Sequence, residues 1–88
     1  MEYKVLNIKE ICDKLCDDGL THEQIGKLIG VSRLQVQNYI TEKTKSPRPQ
    51  VSFKIWDNIV IDGKKVITDN YKNPEHLQMT REMIEKAT

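Results

Sequence analysis

Apolar positions recur at helical spacing in three stretches of the first half of the chain, and a polar capping residue stands before each stretch. Asn7, Thr21 and Ser32 are these caps, and each is followed three residues later by Glu or Gln. Such pairs start helices because the two side chains satisfy backbone N–H groups that the first turn leaves unpaired. The pattern predicts helices from Ile8, His22 and Ser32. Their expected buried stripes are Ile8, Ile11, Cys12, Leu15 and Cys16, then Ile25, Leu28 and Ile29, then Val36, Tyr39 and Ile40.

One tight turn separates the second and third predicted helices. Gly30 stands where the second helix must end, and glycine adopts the left-handed backbone of a helix C-terminus without steric strain. Val31 follows and is expected to point back into the core. The segment Thr21–Thr41 is therefore predicted to form two short helices joined by a turn, which is the layout of a DNA-reading helix-turn-helix. A plain helical hairpin is the alternative.

The middle of the chain combines a loop with a fourth apolar stretch. Residues 42–49 contain two prolines, which exclude a regular helix interior. The three basic groups and two hydroxyls of this loop suit contact with phosphates, although a solvated linker explains them equally well. Apolar residues at every fourth position favour a short helix over Val51–Ile59; a strand is the alternative, because β-branched and aromatic residues dominate there. Trp56 is interpreted as a core anchor rather than a ligand platform.

The remaining patterns predict a small sheet and a last helix. Asp62 and Gly63 stand between apolar arms and indicate a two-residue hairpin turn. The segment Met1–Leu6 alternates apolar and polar residues, as an edge strand does, and the hairpin needs either this third strand or a second subunit. After Pro74, an amphipathic C-terminal helix is expected to pack on the domain in a monomer or to form the interface in a dimer. Its apolar residues are Leu77, Met79, Met83 and Ile84.

These elements predict a mostly α (α+β) fold. Residues 1–58 form the helix-turn-helix domain in this interpretation. Residues 59–88, the hairpin and the last helix, extend the same domain and are expected to dimerise it.

Six residues remain on the outside of the third predicted helix once its buried stripe is assigned. Gln and Asn can bind adenine through two hydrogen bonds, Arg can bind guanine in the same way, and an apolar group can contact the thymine methyl. No acidic residue occurs between Val31 and Thr41, whereas solvated helix faces are usually rich in Glu and Lys. The candidate base-contacting residues are Ser32, Arg33, Leu34, Gln37 and Asn38. The candidate phosphate contacts are His22, Gln24, Thr41, Lys43, Lys45 and Arg48.

The net charge of +1 is unevenly distributed along the 88 residues. Residues 1–20 carry three basic and five acidic groups, residues 21–58 carry six basic and three acidic groups, and residues 59–88 carry five of each. The net charges are therefore −2, +3 and 0. Positive charge concentrates on the predicted helix-turn-helix and the loop after it, where phosphates would lie.

Composition argues against several other classes of protein. The chain shows no signal peptide and no apolar run near about 18 residues, so we expect a soluble, cytoplasmic protein. Cys12 and Cys16 are interpreted as core thiols in a reducing compartment, since His22 and His76 lack the spacing of zinc ligands. The sequence has no glycine-rich phosphate loop, nucleophile elbow or metal cluster, so neither catalysis nor a cofactor is expected.

The helix-turn-helix segment resembles that of the phage Cro and lambda-type (XRE-like) repressor family. Five positions carry this resemblance: Ile25, Gly26, Gly30, Val31 and Val36. A small residue at the position of Gly26 lets the two helices approach closely, and Ala is its usual occupant. Gly is a mild departure that costs roughly 0.5–1 kcal/mol of helix stability.

The resemblance is clear from Ile8 to about Ile40 and looser beyond. Repressors of the family place a helix where Pro49, Lys54 and Ile55 stand, and Cro ends in a hairpin that joins its subunits. Cro lacks a helix after that hairpin, so the C-terminal segment departs from the resemblance.

The resemblance implies a sequence-specific transcriptional regulator, a Cro-type repressor of a prokaryotic or phage-infected cell. It implies a homodimer on a palindromic double-stranded DNA operator, with the third helix in the major groove. The alternative is a small phage-type interaction module that binds RNA polymerase or another host protein. Near-neutral charge and the extra helix favour this alternative, whereas Leu34 is the single apolar residue on the outside of the third helix.

Overall fold

Five helices and a small three-stranded sheet make up the described part of the chain, which is residues 2–71 and 73–87 of a computed structural model. Met1, which the strand prediction included, lies outside the described residues, as do Lys72 and Thr88. The elements in chain order are β1 (Tyr3–Leu6), α1 (Ile8–Asp17), α2 (His22–Ile29), α3 (Arg33–Ile40), α4 (Pro49–Asn58), β2 (Val60–Ile61), β3 (Lys64–Thr68) and α5 (Pro74–Ala87).

Side-chain caps start α1 and α2 where the sequence predicts. The Asn7 side chain accepts a hydrogen bond from the Glu10 backbone N–H at 2.8 Å and donates one to the Glu10 carboxylate. Thr21 and Gln24 form the complete reciprocal capping box. At the other end of α2, Gly30 has a φ of 79°, the left-handed conformation expected of a glycine C-cap.

The start of α3 differs slightly from the prediction. Ser32 accepts a hydrogen bond from the Gln35 backbone N–H at 3.2 Å, but the Gln35 side chain does not return the bond, so only half of the expected capping box forms. The Gln35 side chain forms a hydrogen bond with the Tyr39 hydroxyl instead. Burial raises the pKa of Tyr39, and this hydrogen bond partly offsets the rise. Ser32 is therefore the N-cap, and the helix expected from Ser32 begins at Arg33.

The described residues form two apolar cores, and the larger one joins the first four helices to the hairpin. Most predicted stripe residues are buried in it; Cys16, Leu28 and Ile40 are only partly buried at its margin. Burial of each large aliphatic side chain stabilises the fold by about 1.5–3 kcal/mol, so this core is the main support of α2 and α3. Its buried members are Ile8, Ile11, Cys12, Leu15, Ile25, Ile29, Val36, Tyr39, Val51, Ile55, Ile59, Ile61 and Val66.

The fourth helix is confirmed, and the strand alternative for Val51–Ile59 is wrong. The helix begins two residues earlier than expected, at Pro49, because proline has no backbone N–H to lose in a first helical turn. The Asn58 amide donates to the Leu28 carbonyl at 2.9 Å and ties the end of α4 to α2. This tie fixes α4 against the helices that precede it.

The sheet has the order β1-β3-β2. The hairpin of β2 and β3 turns at Asp62 and Gly63, whose φ values of 54° and 76° match a two-residue turn with both central residues left-handed. The edge strand β1 supplies the third strand from the same chain and runs parallel to β3, with Val5 opposite Ile67. The sequence pattern did not indicate this parallel direction.

A smaller core lies between α4, β3 and α5. Its buried members are Phe53, Ile67, Tyr71 and Leu77, with Tyr3, Trp56 and Ile84 at the margin. The predicted anchor Trp56 is only half-buried, and the Lys65 ammonium lies 4.8 Å from its ring centre. Within residues 2–71 and 73–87, no helix is both long and apolar enough to cross a membrane.

Candidate nucleic-acid interface

One side of α3 is buried and the other faces solvent. Val36 and Tyr39 hold the inner side in the larger core at 0% and 2% exposure. Gln35 and Ile40 are half-buried beside them. We call the six other residues of this helix and its caps the outer face of α3. All of them are exposed except Asn38, which is half-buried: Ser32, Arg33, Leu34, Gln37, Asn38 and Thr41. Four of the five candidate base readers are thus exposed, and Asn38 is half-buried.

A close approach of backbones sets the position of α3 relative to α2. Gly26 lies so near the turn that a Cβ atom there would stand 2.5 Å from the Val31 carbonyl oxygen. Real Cβ atoms do not approach backbone that closely, so this geometry requires glycine. Alanine is usual at this position in the family that the segment resembles, but an alanine at position 26 of this chain would force the turn to move. Gly26 is therefore a structural requirement of this chain rather than a mild departure.

A backbone hydrogen bond and a buried proline hold the loop after α3 in place. The Thr44 N–H donates to the Asn38 carbonyl at 3.2 Å, and Pro47 is buried. Lys43, Lys45 and Arg48 are all exposed, which leaves their charges accessible to a ligand. The loop therefore presents positive charge at a defined place beside the end of α3.

Glu42 interrupts this positive loop at its first residue. Its φ is 63°, in the left-handed region that few non-glycine residues occupy. The pKa of Lys9 on α1 is raised, mainly by its hydrogen bond to Asp13 and by the charge of Asp13. The negative charge of Glu42 adds to this rise. Glu42 is the single acid between Glu23 and Asp57.

An open cleft of about 620 Å³ lies between the start of α3, the loop and the start of α4. Hydroxyl, amide and guanidinium groups line much of it, and these are hydrogen-bond donors that suit phosphate oxygens. Among the lining residues are Ser32, Gln35, Thr44, Ser46, Arg48 and Gln50. Gln50 did not emerge from the sequence, because its position beside α3 depends on how α4 folds back.

Two candidate phosphate contacts already make local hydrogen bonds. The Gln24 side-chain oxygen accepts from the Thr21 N–H at 2.9 Å, which leaves its amide NH₂ group for another partner. The Thr41 hydroxyl donates to the Gln37 carbonyl at 2.9 Å and can still accept a bond. The remaining candidate on α2, His22, is half-buried at the first helical position. The structure therefore places the α2 candidates on a different element from the basic loop.

The two cysteines are free thiols on α1. Burial raises the pKa of Cys12 to about 12, and burial also raises the pKa of the partly exposed Cys16, so both thiols are protonated at neutral pH. No group of three potential metal-ligating side chains occurs within residues 2–71 and 73–87. The exposed acids Asp17 and Asp18 lie at the end of α1.

Comparison with family models, curated proteins and solved structures finds no significant match for this chain.

Proposed function

We propose that the chain is a sequence-specific DNA-binding transcriptional regulator of the Cro type. In this proposal α2 and α3 form a helix-turn-helix, and α3 enters the major groove by its N-terminal half. The observation that carries the proposal is the outer face of α3, which combines two amides and one guanidinium with no acid. Arg33, Gln37 and Asn38 are the main base readers, and Ser32 and Leu34 are secondary ones.

Phosphate contacts come from the surroundings of α3. Lys43, Lys45 and Arg48 are exposed in the loop, and the adjoining cleft offers uncharged donors to the same DNA strand. Charge-assisted contacts of this kind position a protein on the duplex without reading sequence. The exposed side chains of α3 then remain available for base edges.

A homodimer completes the proposal. Two copies related by a two-fold axis would place their α3 helices about 34 Å apart, one turn of the double helix. The operator would then be a short imperfect palindrome, and regulation would follow from occupation of a promoter. This use of the fold requires no catalysis and no cofactor.

The direct test is in vitro selection from random duplex DNA at near-physiological salt, followed by sequencing. Enrichment of a palindrome with half-sites about one helical turn apart supports a dimeric specific regulator. A single unrepeated half-site supports DNA reading by a monomer. A failure to enrich any sequence would contradict the proposal.

A protein-interaction module that binds RNA polymerase or another host protein is the second candidate. Leu34 favours it, because this side chain is 65% exposed at the centre of the face proposed for DNA. Salt distinguishes the two candidates: binding through phosphates weakens steeply with salt, whereas an apolar contact does not.

A further inference from the structure

The last helix, α5, uses one side to attach to the domain. Leu77 is 3% exposed in the smaller core, and Ile84 packs at its margin. Arg81 lies on the same side, where it forms an ion pair with Asp57 at 3.0 Å and stacks 5.5 Å from the Phe53 ring centre. The opposite side of α5 is therefore the one that faces away from the domain.

That opposite side carries large apolar groups. Met79 and Met83 are 62% and 70% exposed and stand four residues apart, so they are neighbours on one helix face. Glu75 lies four residues before Met79, and Lys86 lies seven residues after it, which places both charges on the same stripe. We call Glu75, Met79, Met83 and Lys86 the outer stripe of α5.

The two charges of the stripe cannot satisfy each other within one chain. Lys86 stands eleven positions after Glu75, which is about 16 Å along a helix. Both side chains are exposed, and neither makes an ion pair within the described part of the chain. A second molecule with the opposite order of charges would complement them.

We infer that α5 is a self-association surface on which the α5 helices of two copies pair antiparallel. In this arrangement Met79 of one copy lies on Met83 of the second. Glu75 then lies opposite Lys86 of the second copy, and two-fold symmetry repeats both contacts. The stripe is thus complementary to itself in apolar contacts and in charge.

The charges select this direction over the other one. A parallel pair in register would oppose Glu75 to Glu75 and Lys86 to Lys86, and each like pair would be repulsive. Glu82 lies at the edge of the stripe near its centre, where the antiparallel pair brings the Glu82 residues of both copies close together. This repulsion limits the affinity, so removal of that charge should tighten the dimer.

Two methionines per copy make a small interface, well below the standard size of about 1,200–2,000 Å². We therefore expect a weak dimer, with a dissociation constant on the order of 100 µM in the absence of DNA. The inference names the interface of the proposed homodimer but does not rest on DNA binding. An experiment can therefore disprove the self-association inference without disproving the DNA-binding proposal, and the reverse also holds.

Sedimentation equilibrium of the full chain without DNA, at low salt and up to about 1 mM, tests the inference. We expect Met79→Glu/Met83→Glu to raise the dissociation constant by about 100-fold or more, because each lost methionine contact recurs by symmetry. The matched control is Val60→Glu on the hairpin, where an equally exposed apolar residue (60%) should be replaceable without effect. Circular dichroism verifies that each variant is folded.

Charge exchange tests the direction of pairing. Glu75→Lys alone and Lys86→Glu alone should each raise the dissociation constant by about 3- to 30-fold at low salt. The double variant Glu75→Lys/Lys86→Glu should restore it, because the two residues meet only between copies. Glu82→Gln should lower the dissociation constant by a few-fold.

Three results would overturn the inference. The first is a wild-type chain that remains monomeric at about 1 mM. The second is a dimer that Val60→Glu abolishes and Met79→Glu/Met83→Glu preserves. The third is a double charge exchange that is no better than the single variants.

Discussion

Helices α3 and α5 each bury one side and expose the other, but their exposed sides differ in chemistry. The outer face of α3 carries amides, a guanidinium and Leu34, and it has no acid. The outer stripe of α5 carries Met79 and Met83 between charges of both signs. Amides suit base edges, which offer paired donors and acceptors, whereas methionines suit an adaptable apolar surface. Because the exposed groups differ, we propose different partners for the two helices: DNA for α3 and a second copy for α5.

The two helices also differ in how firmly they are supported. Val36 and Tyr39 anchor α3 in the larger core, which four helices and the hairpin share. Leu77 is the one buried residue of α5 in the described structure, and it belongs to the smaller core. The helix proposed to read DNA thus has the more rigid support, while the helix proposed to dimerise has the weaker attachment.

The largest expected effect comes from a substitution in the smaller core, which should affect α5 more than α2 and α3. Leu77→Ala should lower the free energy of unfolding by about 2–4 kcal/mol, because it removes the main anchor of α5 and leaves a cavity. Hydrogen exchange should then accelerate in α5 before it does in α2 and α3. Met83→Ala is the matched control and should change stability by less than about 0.5 kcal/mol, since that side chain is exposed. Equal acceleration in α3 would show that the two helices do not rest on separate cores.

A smaller effect is expected where α2 approaches the turn before α3. Alanine is a better helix former than glycine by about 1 kcal/mol. Gly26→Ala should nevertheless lower the free energy of unfolding by about 1–2 kcal/mol, because the new methyl group overlaps the Val31 carbonyl. Chemical denaturation measures the change, with Lys27→Ala as a control on the exposed side of the same helix. A stabilised Gly26→Ala variant would mean that the turn adapts at little cost.

Glu42 allows backbone strain to be separated from charge. Glu42→Gly should raise the free energy of unfolding by about 0.5–1 kcal/mol, because glycine accepts the positive φ without steric cost. Glu42→Gln keeps the strain and removes the charge, so it should leave stability nearly unchanged. Both variants should bind DNA more tightly if this carboxylate lies beside phosphates. Thermal unfolding and a DNA titration of the same samples give the two results.

The smallest expected effect concerns the loop. Lys45→Ala should weaken binding to every DNA sequence alike and should reduce the slope of log affinity against log salt by about one. Lys64→Ala on the hairpin is the control and should leave the slope unchanged. A sequence-dependent loss for Lys45→Ala would make this lysine a base reader rather than a phosphate contact.

Local rules account for the parts of the fold that the sequence predicted well. Asn7, Thr21 and Ser32 cap helices through residues three positions away, and Asp62 and Gly63 form a turn with their immediate neighbours. The free energy of these contacts depends on a few consecutive residues. For the same reason, the exposed side of α3 followed from periodicity alone.

Contacts between distant residues could not be predicted in the same way. Pairing of β1 parallel to β3 joins residues about sixty positions apart, and the buried hydrogen bond of 2.6 Å between Ser52 and Thr68 joins α4 to β3. The place of the exposed Gln50 in the cleft beside α3 and the clash that excludes a Cβ at Gly26 also depend on how helices meet. These features follow from packing of the whole chain and have no local signature.

The most direct test of the central claim is the binding of Gln37→Ala to two duplexes of equal length, the selected operator and a scrambled sequence. Gln37 is uncharged and exposed, so its truncation leaves phosphate attraction and the core unchanged. We expect a loss of about 1–3 kcal/mol, roughly 5- to 150-fold, on the operator and no loss on the scrambled duplex. An equal loss on both duplexes, or no loss on either, would contradict the claim that the outer face of α3 reads DNA.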